Sequence, residues 1–204
     1  MSFPDYMNRF SLAILAGGKN SRFGGKNKSI HHFQGKPIIS HQLDTLLPVF
    51  FNISIITNTP GDFDFIRNVS KFKDLIHNKG PLGGIYTALH VIKTDYVFVL
   101  AGDMPFIHPG IVKELIKLAN HQDFDALIPV NEKGREPLHA IYHRRLESSL
   151  KNYLNHSRKL SVQSFLKDKH VHYYPINQTE PFINVNTFRQ LEFYERDRSN
   201  QNTG

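Results

Sequence analysis

Short runs rich in Val, Ile, Leu and Phe alternate along the chain with stretches in which apolar residues recur at helical spacing. Phe10–Ala16 predicts a strand that stops at Gly17-Gly18. Pro37–Phe50 predicts a helix, since Pro37 suits a first helical position and Ile38, Ile39, Leu43, Leu46 and Leu47 fall on one side. Ile53–Thr57 predicts a second strand, closed by the turn residues Asn58-Thr59-Pro60-Gly61. Leu82–Ile92 predicts a helix after Gly80-Pro81. Tyr96–Ala101 is apolar throughout, the pattern of a parallel strand covered on both faces. Pro109–Asn120 carries Ile111, Val112, Leu115, Ile116 and Leu118 at helical spacing, and Phe124–Val130 predicts a further strand.

This order predicts an α/β domain: a Rossmann-like, doubly wound, mostly parallel sheet with helices on both faces and right-handed crossovers. Ligands of such sheets bind beyond the carboxyl ends of the strands, so the working loops are expected after Ala16, Thr57 and Ala101. Beyond Val130 the pattern weakens to a hairpin-like stretch over Pro137–Tyr142, a helix over Arg144–Leu154 and smaller pieces. No linker or repeat divides residues 1–204, so a single domain is expected, with a frayed tail over Asp197–Gly204.

Composition narrows the chemistry. With 40% hydrophobic residues the 204-residue chain can bury a core. It has no Cys, which excludes disulfide scaffolds, thiolate metal sites and cysteine nucleophiles. The opening MSFPDYMNRFS lacks the apolar core of a secretory signal and no apolar run is long enough to span a bilayer, so a soluble cytoplasmic protein is expected. The formal charge of +7 is spread along the chain without a block of like charges, which suits small anionic substrates and gives no reason to expect nucleic acid or membrane as a partner. The 12 His form no HExxH, His31-His32 and His170-x-His172 fall in expected strands, and scattered rather than metal-bound His is the better reading. No Gly-x-Ser-x-Gly elbow is present for a serine hydrolase.

The segment from Leu15 to Lys28 carries the most chemistry. Glycines directly after a buried strand let backbone N–H groups approach a phosphate, and Arg22 and Lys28 can add a forked and a point charge. Neither known phosphate fingerprint fits: Lys26 is followed by Asn27 rather than Ser or Thr, and Gly17 and Gly18 are adjacent. At the end of the most apolar strand, Asp103 suits Mg²⁺, which favours one or two carboxylates plus phosphate oxygens, or it caps the next helix. Asp74 to Ile85 forms a Gly-bounded loop before a helix, and Thr187 could cap the last helix.

Taken together these loops resemble the molybdenum cofactor guanylyltransferases and the wider nucleotidyltransferase family around them. The likeness rests on Leu15–Gly18 with Arg22-Phe23-Gly24 and Lys28, on Gly35-Lys36-Pro37, and on Asp74 with Gly80-Pro81-Leu82-Gly83-Gly84-Ile85. It continues through Gly102-Asp103-Met104-Pro105, Pro137-Leu138-His139-Ala140 and Ile183–Thr187. Phe23 stands where Met is commoner, Gly102 where the family has Cys, and Phe188 where it usually has Pro. The resemblance implies transfer of GMP from GTP to the terminal phosphate of molybdopterin, with release of pyrophosphate. CMP transfer, another phosphorylated acceptor, or a non-catalytic nucleotide-binding module are the alternatives.

It further implies a nucleotide-binding half over about residues 10–130 and an acceptor-binding half over about 131–196. Arg22, Lys28 and Asp103 are the implied catalytic residues, with Mg²⁺ on Asp103. The resemblance places Leu15, Ala16, Gly17, Gly18, Lys28, Asn58, Asp74 and Asp103 at the nucleotide by implication. By the same implication Arg135, His139, Asn184 and Asn186 are expected to face the acceptor. Members of the family also pass product to proteins of the same pathway.

Overall fold

The computed structural model describes residues 4–17, 27–185 and 187–201. Alternate residues of β1 (Phe10–Leu15) enter opposite cores. Phe10, Leu12 and Ile14 pack with α1 (Ile38–Leu46) and α3 (Pro109–His121), while Ala13 meets α2 (Pro81–Val91) and α4 (Leu146–His156). β6 (Tyr96–Ala101) divides likewise, with Tyr96, Phe98 and Leu100 on one face and Val97 and Val99 on the other. Both strands therefore read as unbroken apolar runs because neither face meets water.

One sheet of eight strands runs through the molecule. Its order is β5 (Ser70–Phe72), β4 (Ile53–Ile56), β1, β6, β9 (His139–His143), β7 (Ala126–Asn131) and β10 (Val171–Pro175), with β8 (Gly134–Arg135) hairpinned onto β7. β5, β4, β1 and β6 are mutually parallel, as are β7 and β10. The expected doubly wound sheet is thus present, with one correction. The stretch read as hairpin-like supplies β9, an antiparallel strand inserted between β6 and β7, with Leu100 opposite His139 and Leu127 opposite Ile141. The tight hairpin is instead β7–β8, where Asn131 Oδ1 accepts from Lys133 and Gly134 N–H and Gly134 takes a φ of +126°.

The first helix is shorter than Pro37–Phe50. Pro37 pairs with His32 in an antiparallel ribbon of β2 (His32–Phe33) and β3 (Lys36–Pro37), and α1 starts one residue later. It ends before Pro48, whose ring has no N–H to carry the helical ladder on, although Leu47 itself keeps helical dihedrals (φ −53°, ψ −36°). Leu47 is accordingly exposed, and Gln42 takes a place on the buried face. A short α5 (Val162–Phe165) and a terminal α6 (Phe188–Gln201) complete the chain, with Thr187 Oγ1 accepting from the Gln190 N–H in the manner of an N-cap. Among the described residues no helix is long and apolar enough to cross a membrane.

Candidate active site

Four parallel strands end side by side, and their ladders continue one residue past them. Ala16 N–H donates to Ile56 C=O at 2.8 Å, Thr57 N–H to Phe72 C=O at 2.9 Å, and Gly102 N–H to Leu15 C=O at 3.0 Å. The loops after β1, β4, β5 and β6 therefore leave the sheet in register. That places Gly17, Asn58, Asp74 and Asp103 at one edge, the side where α/β sheets bind ligands.

Gly17, Asn58 and Asp74 meet. A Cβ on Gly17 would stand 3.7 Å from Asp74 Oδ2 and 4.0 Å from Asn58 Nδ2, an ordinary contact distance, and the glycine leaves that space to a ligand. Asn58 Nδ2 donates to Asp74 Oδ2 at 3.2 Å. The Asp74 loop is tied to α2, because Leu75 N–H donates to Thr87 Oγ1 at 3.0 Å and Thr87 donates on to Gly83 C=O at 2.9 Å. Burial pushes the Asp74 carboxyl above its ordinary pKa, and the Asn58 amide and His77 oppose that shift without cancelling it. Gly80 takes a φ of +57° at the turn into α2, and Gly84 leaves 3.1 Å between a would-be Cβ and the Leu15 side chain. A Cβ on Gly83 would stand 2.9 Å from Ile76 C=O, so the run combines a positive-φ turn at Gly80 with close approaches of α2 to the Asp74 loop and to the end of β1.

Beside this corner, Lys28 and Asp103 face each other, with Lys28 Nζ 3.6 Å from Asp103 Oδ2 and each side chain 21% exposed. Asn27 fixes the approach of Lys28. Its amide nitrogen donates to Ala16 C=O, and its oxygen accepts from Ser29 N–H at 3.1 Å, capping the single helical turn Lys28–Ile30. Asp103 is anchored from the far end of the chain by Val185 N–H, which donates to Asp103 C=O at 2.8 Å. Desolvation raises the Asp103 pKa, and the Lys28 charge opposes the rise without cancelling it. Asp103 does not cap α3, which starts at Pro109 after His108.

The acceptor-side residues fare differently. Arg135 is exposed on β8 with its guanidinium 4.4 Å from the centre of the Tyr173 ring. Asn184 is half-buried beside Val185. His139 offers no surface: it is fully buried, edge-on to Phe98 at 5.3 Å and Phe182 at 4.8 Å between ring centres. Burial lowers its pKa to about 3, so it is a neutral core residue rather than a contact lining an open acceptor site. Gly18, Arg22 and Asn186 lie outside the described residues, as does most of the glycine-rich loop. A groove of about 550 Å³ opens at the other end of the strands, lined by Ser11, Ser54, Ser70, Lys93 and Thr94, and none of the candidate residues contributes to it.

Asn27, Ser29, Gln42 and Thr87 support the site but carry no motif of their own. For Gln42 a signal existed: it is an amide standing in the apolar stripe of α1, between Ile38 and Leu46.

Residues 12–172 match the family of MobA-like NTP transferase domains. The chain belongs to the MobA-like NTP transferases. A relative from Natranaerobius thermophilus, named a probable molybdenum cofactor guanylyltransferase, is 35% identical over 191 residues, covering 89% of this chain and 93% of that protein. A Clostridium perfringens protein of the same name is 34% identical, covering 91% of this chain and 96% of its own length. Among solved structures, molybdopterin-guanine dinucleotide biosynthesis protein A from Archaeoglobus fulgidus superposes with a TM-score of 0.80 at 26% identity, covering 93% of this chain and 99% of that one. This MobA-like domain therefore matches those relatives nearly end to end, and its Lys28–Asp103 pair and Gly17–Asn58–Asp74 corner lie within the matched residues.

Proposed function

We propose that the protein transfers GMP from GTP to the terminal phosphate of molybdopterin and releases pyrophosphate. The observation that carries this reading is the juxtaposition of Lys28 with Asp103 beside the corner of Gly17, Asn58 and Asp74. It sets one cation, one carboxylate and an open glycine backbone where a nucleotide triphosphate can lie. The names of the relatives supply the base and the acceptor.

An acceptor phosphate oxygen forms a bond to the α-phosphorus of GTP while the bond from that phosphorus to the bridging oxygen of the β-phosphate breaks. Such in-line transfer needs positioning and charge neutralisation more than a covalent nucleophile. The backbone at Ala16 and Gly17 admits the phosphates closely, with Gly18 and Arg22 assigned to the β- and γ-phosphates. Lys28 meets the charge that builds on the α-phosphate in the transition state. Asp74, steadied by Asn58, accepts hydrogen bonds from the N1 and N2 hydrogens of guanine. Arg135, Asn184 and Asn186 serve the acceptor.

Asp103 suits magnesium. It is a single, largely desolvated carboxylate at a strand end, and among the described residues no three His, Asp or Glu side chains gather into an all-protein cage. That donor set fits an ion held mainly by phosphate oxygens and water. When bound there, magnesium would neutralise phosphate charge next to the reacting phosphorus.

Calorimetric titration with GTP, CTP, ATP and UTP, each with Mg²⁺, followed by a pyrophosphate-release assay with molybdopterin, tests the proposal. A preference for GTP and release of pyrophosphate are expected. A preference for CTP would change the product, and no nucleotide binding would overturn the reading.

A further inference from the structure

We infer that Gln42 is the positioning residue for Asp103. Gln42 lies in the apolar stripe of α1 and is fully buried. Its amide nitrogen donates twice, to Ala101 C=O at 2.8 Å and to Met104 C=O at 2.8 Å. These two carbonyls bracket Gly102-Asp103, so one side chain holds both ends of the loop that carries the carboxylate. The orientation of the amide is fixed by chemistry: two carbonyl acceptors require the two hydrogens of the NH₂ group.

The loop is held at two further points, Gly102 N–H on Leu15 C=O at 3.0 Å and Val185 N–H on Asp103 C=O at 2.8 Å. Both tie it to neighbouring chain segments. Among the described residues Gln42 alone spans it, and it does so from the core, with no surface to offer a substrate. A buried polar side chain among apolar neighbours is costly, the more so here because the Gln42 side-chain oxygen has no partner among the described residues; the two bonds made by its nitrogen set the backbone on either side of Asp103. Displacing a catalytic group by about 1 Å can cost on the order of a hundredfold in rate. The inference rests on the transfer reaction proposed above: Gln42 acts on turnover through Asp103 and does not touch the nucleotide.

The test compares Gln42→Met, which keeps the volume and removes both donors, with Leu46→Ala. Leu46 is a fully buried neighbour on the same helix that serves the core alone. Gln42→Glu is the second variant, since a protonated carboxyl can donate to only one of the two carbonyls. In both Gln42 variants kcat is expected to fall at least about tenfold with KM for the nucleotide within about threefold, the pattern of a defect confined to the transition state. Hydrogen exchange at the Gly102 and Val185 amides should quicken at least about tenfold beyond the change elsewhere in the sheet, because local opening is read at those bonds. Leu46→Ala should lose stability while keeping kcat and the relative protection of those two amides.

If Gln42→Met and Gln42→Glu behave as Leu46→Ala does, Gln42 is a core residue and the inference is overturned. If the unaltered protein transfers no nucleotide, the functional reading fails on its own. Exchange at Gly102 and Val185 still decides whether Gln42 holds the loop.

Discussion

Asn58 donates its side-chain amide to Asp74 at 3.2 Å, joining the loops after β4 and β5 directly over the open face of Gly17. The bond leaves Asp74 Oδ1 with no partner among the described residues. Replacing Asp74 by Asn removes the charge and one acceptor while keeping the shape. GTP binding should weaken by about 1–3 kcal/mol, the usual consequence of leaving buried donors unmet. Binding of ATP and CTP should change little. Because burial raises the Asp74 pKa above 3.8, GTP affinity in the unaltered protein should fall as pH drops through that raised value, and Asp74→Asn should flatten the profile. Calorimetry across pH reads both effects, and unchanged GTP affinity in the variant would remove Asp74 from base recognition.

Burial of the Asp103 carboxyl opposes its ionisation in the free protein, so a neutral side chain there is expected to be better tolerated. Its folded pKa lies above the unfolded value of 3.8, because desolvation outweighs the attraction of Lys28. A carboxyl with a raised folded pKa favours the folded state only when protonated, so its contribution to stability is lost as pH rises through the folded pKa. Asp103→Asn should therefore raise Tm at pH 7, and the advantage should shrink as pH falls toward 3.8. Transfer activity should drop by orders of magnitude in the same variant. Thermal scans beside a pyrophosphate assay check the pair; a variant less stable than the parent at pH 7 would contradict the direction of the shift.

How much of this could be read from the chain depends on whether the signal is local. β1, β4 and β6 announced themselves because both their faces are covered, and their ends at Leu15, Ile56 and Ala101 fall within one residue of those expected at Ala16, Thr57 and Ala101. The antiparallel insertion of β9 did not show, since nothing in His139–His143 specifies that its partners are Tyr96–Leu100 and Ala126–Leu127. Asp74 and Asp103 were visible through motifs. Asn27 and Gln42 carry no motif: the amide in the apolar stripe of α1 marks Gln42 as unusual, but what the two side chains do lies in carbonyls they reach across 11 and 59 residues of chain. His139 misled for the opposite reason: a motif drew attention to a side chain that the fold buries between two aromatic rings.

Under the proposed transfer reaction, Lys28 acts on charge that develops on the α-phosphate. Its ammonium sits 3.6 Å from Asp103, and the residue opens the turn that Asn27 caps. Lys28→Ala should lower kcat by about 10²–10³-fold, the range for losing one preorganised group that stabilises transition-state charge. Nucleotide affinity should stay within about threefold, as for an interaction made mainly in the transition state. Single-turnover rates alongside equilibrium titration separate the two quantities. A variant that binds weakly yet turns over normally at saturation would make Lys28 a ground-state contact.

Ser29 and Gly102 touch where the two halves of the Lys28–Asp103 pair are carried. A Cβ on Gly102 would stand 2.3 Å from Ser29 Oγ and 3.2 Å from both Ala16 Cα and Leu15 C=O. The first contact can be relieved by removing the hydroxyl; the other two involve backbone that the sheet holds still. Gly102→Ala should therefore destabilise the protein by about 1–3 kcal/mol, the range for an overpacked site. Ser29→Ala alone should change stability by less. In the double variant the losses should not add, with a favourable coupling of at least about 0.5 kcal/mol, because one steric conflict has been removed. Transfer activity should follow the same pattern, falling in Gly102→Ala and partly recovering with Ser29→Ala, since the residues that flank the contact are Lys28 and Asp103. Denaturant melts of the four proteins close the cycle, and strict additivity would show that the backbone contacts, not Ser29, forbid a side chain at position 102.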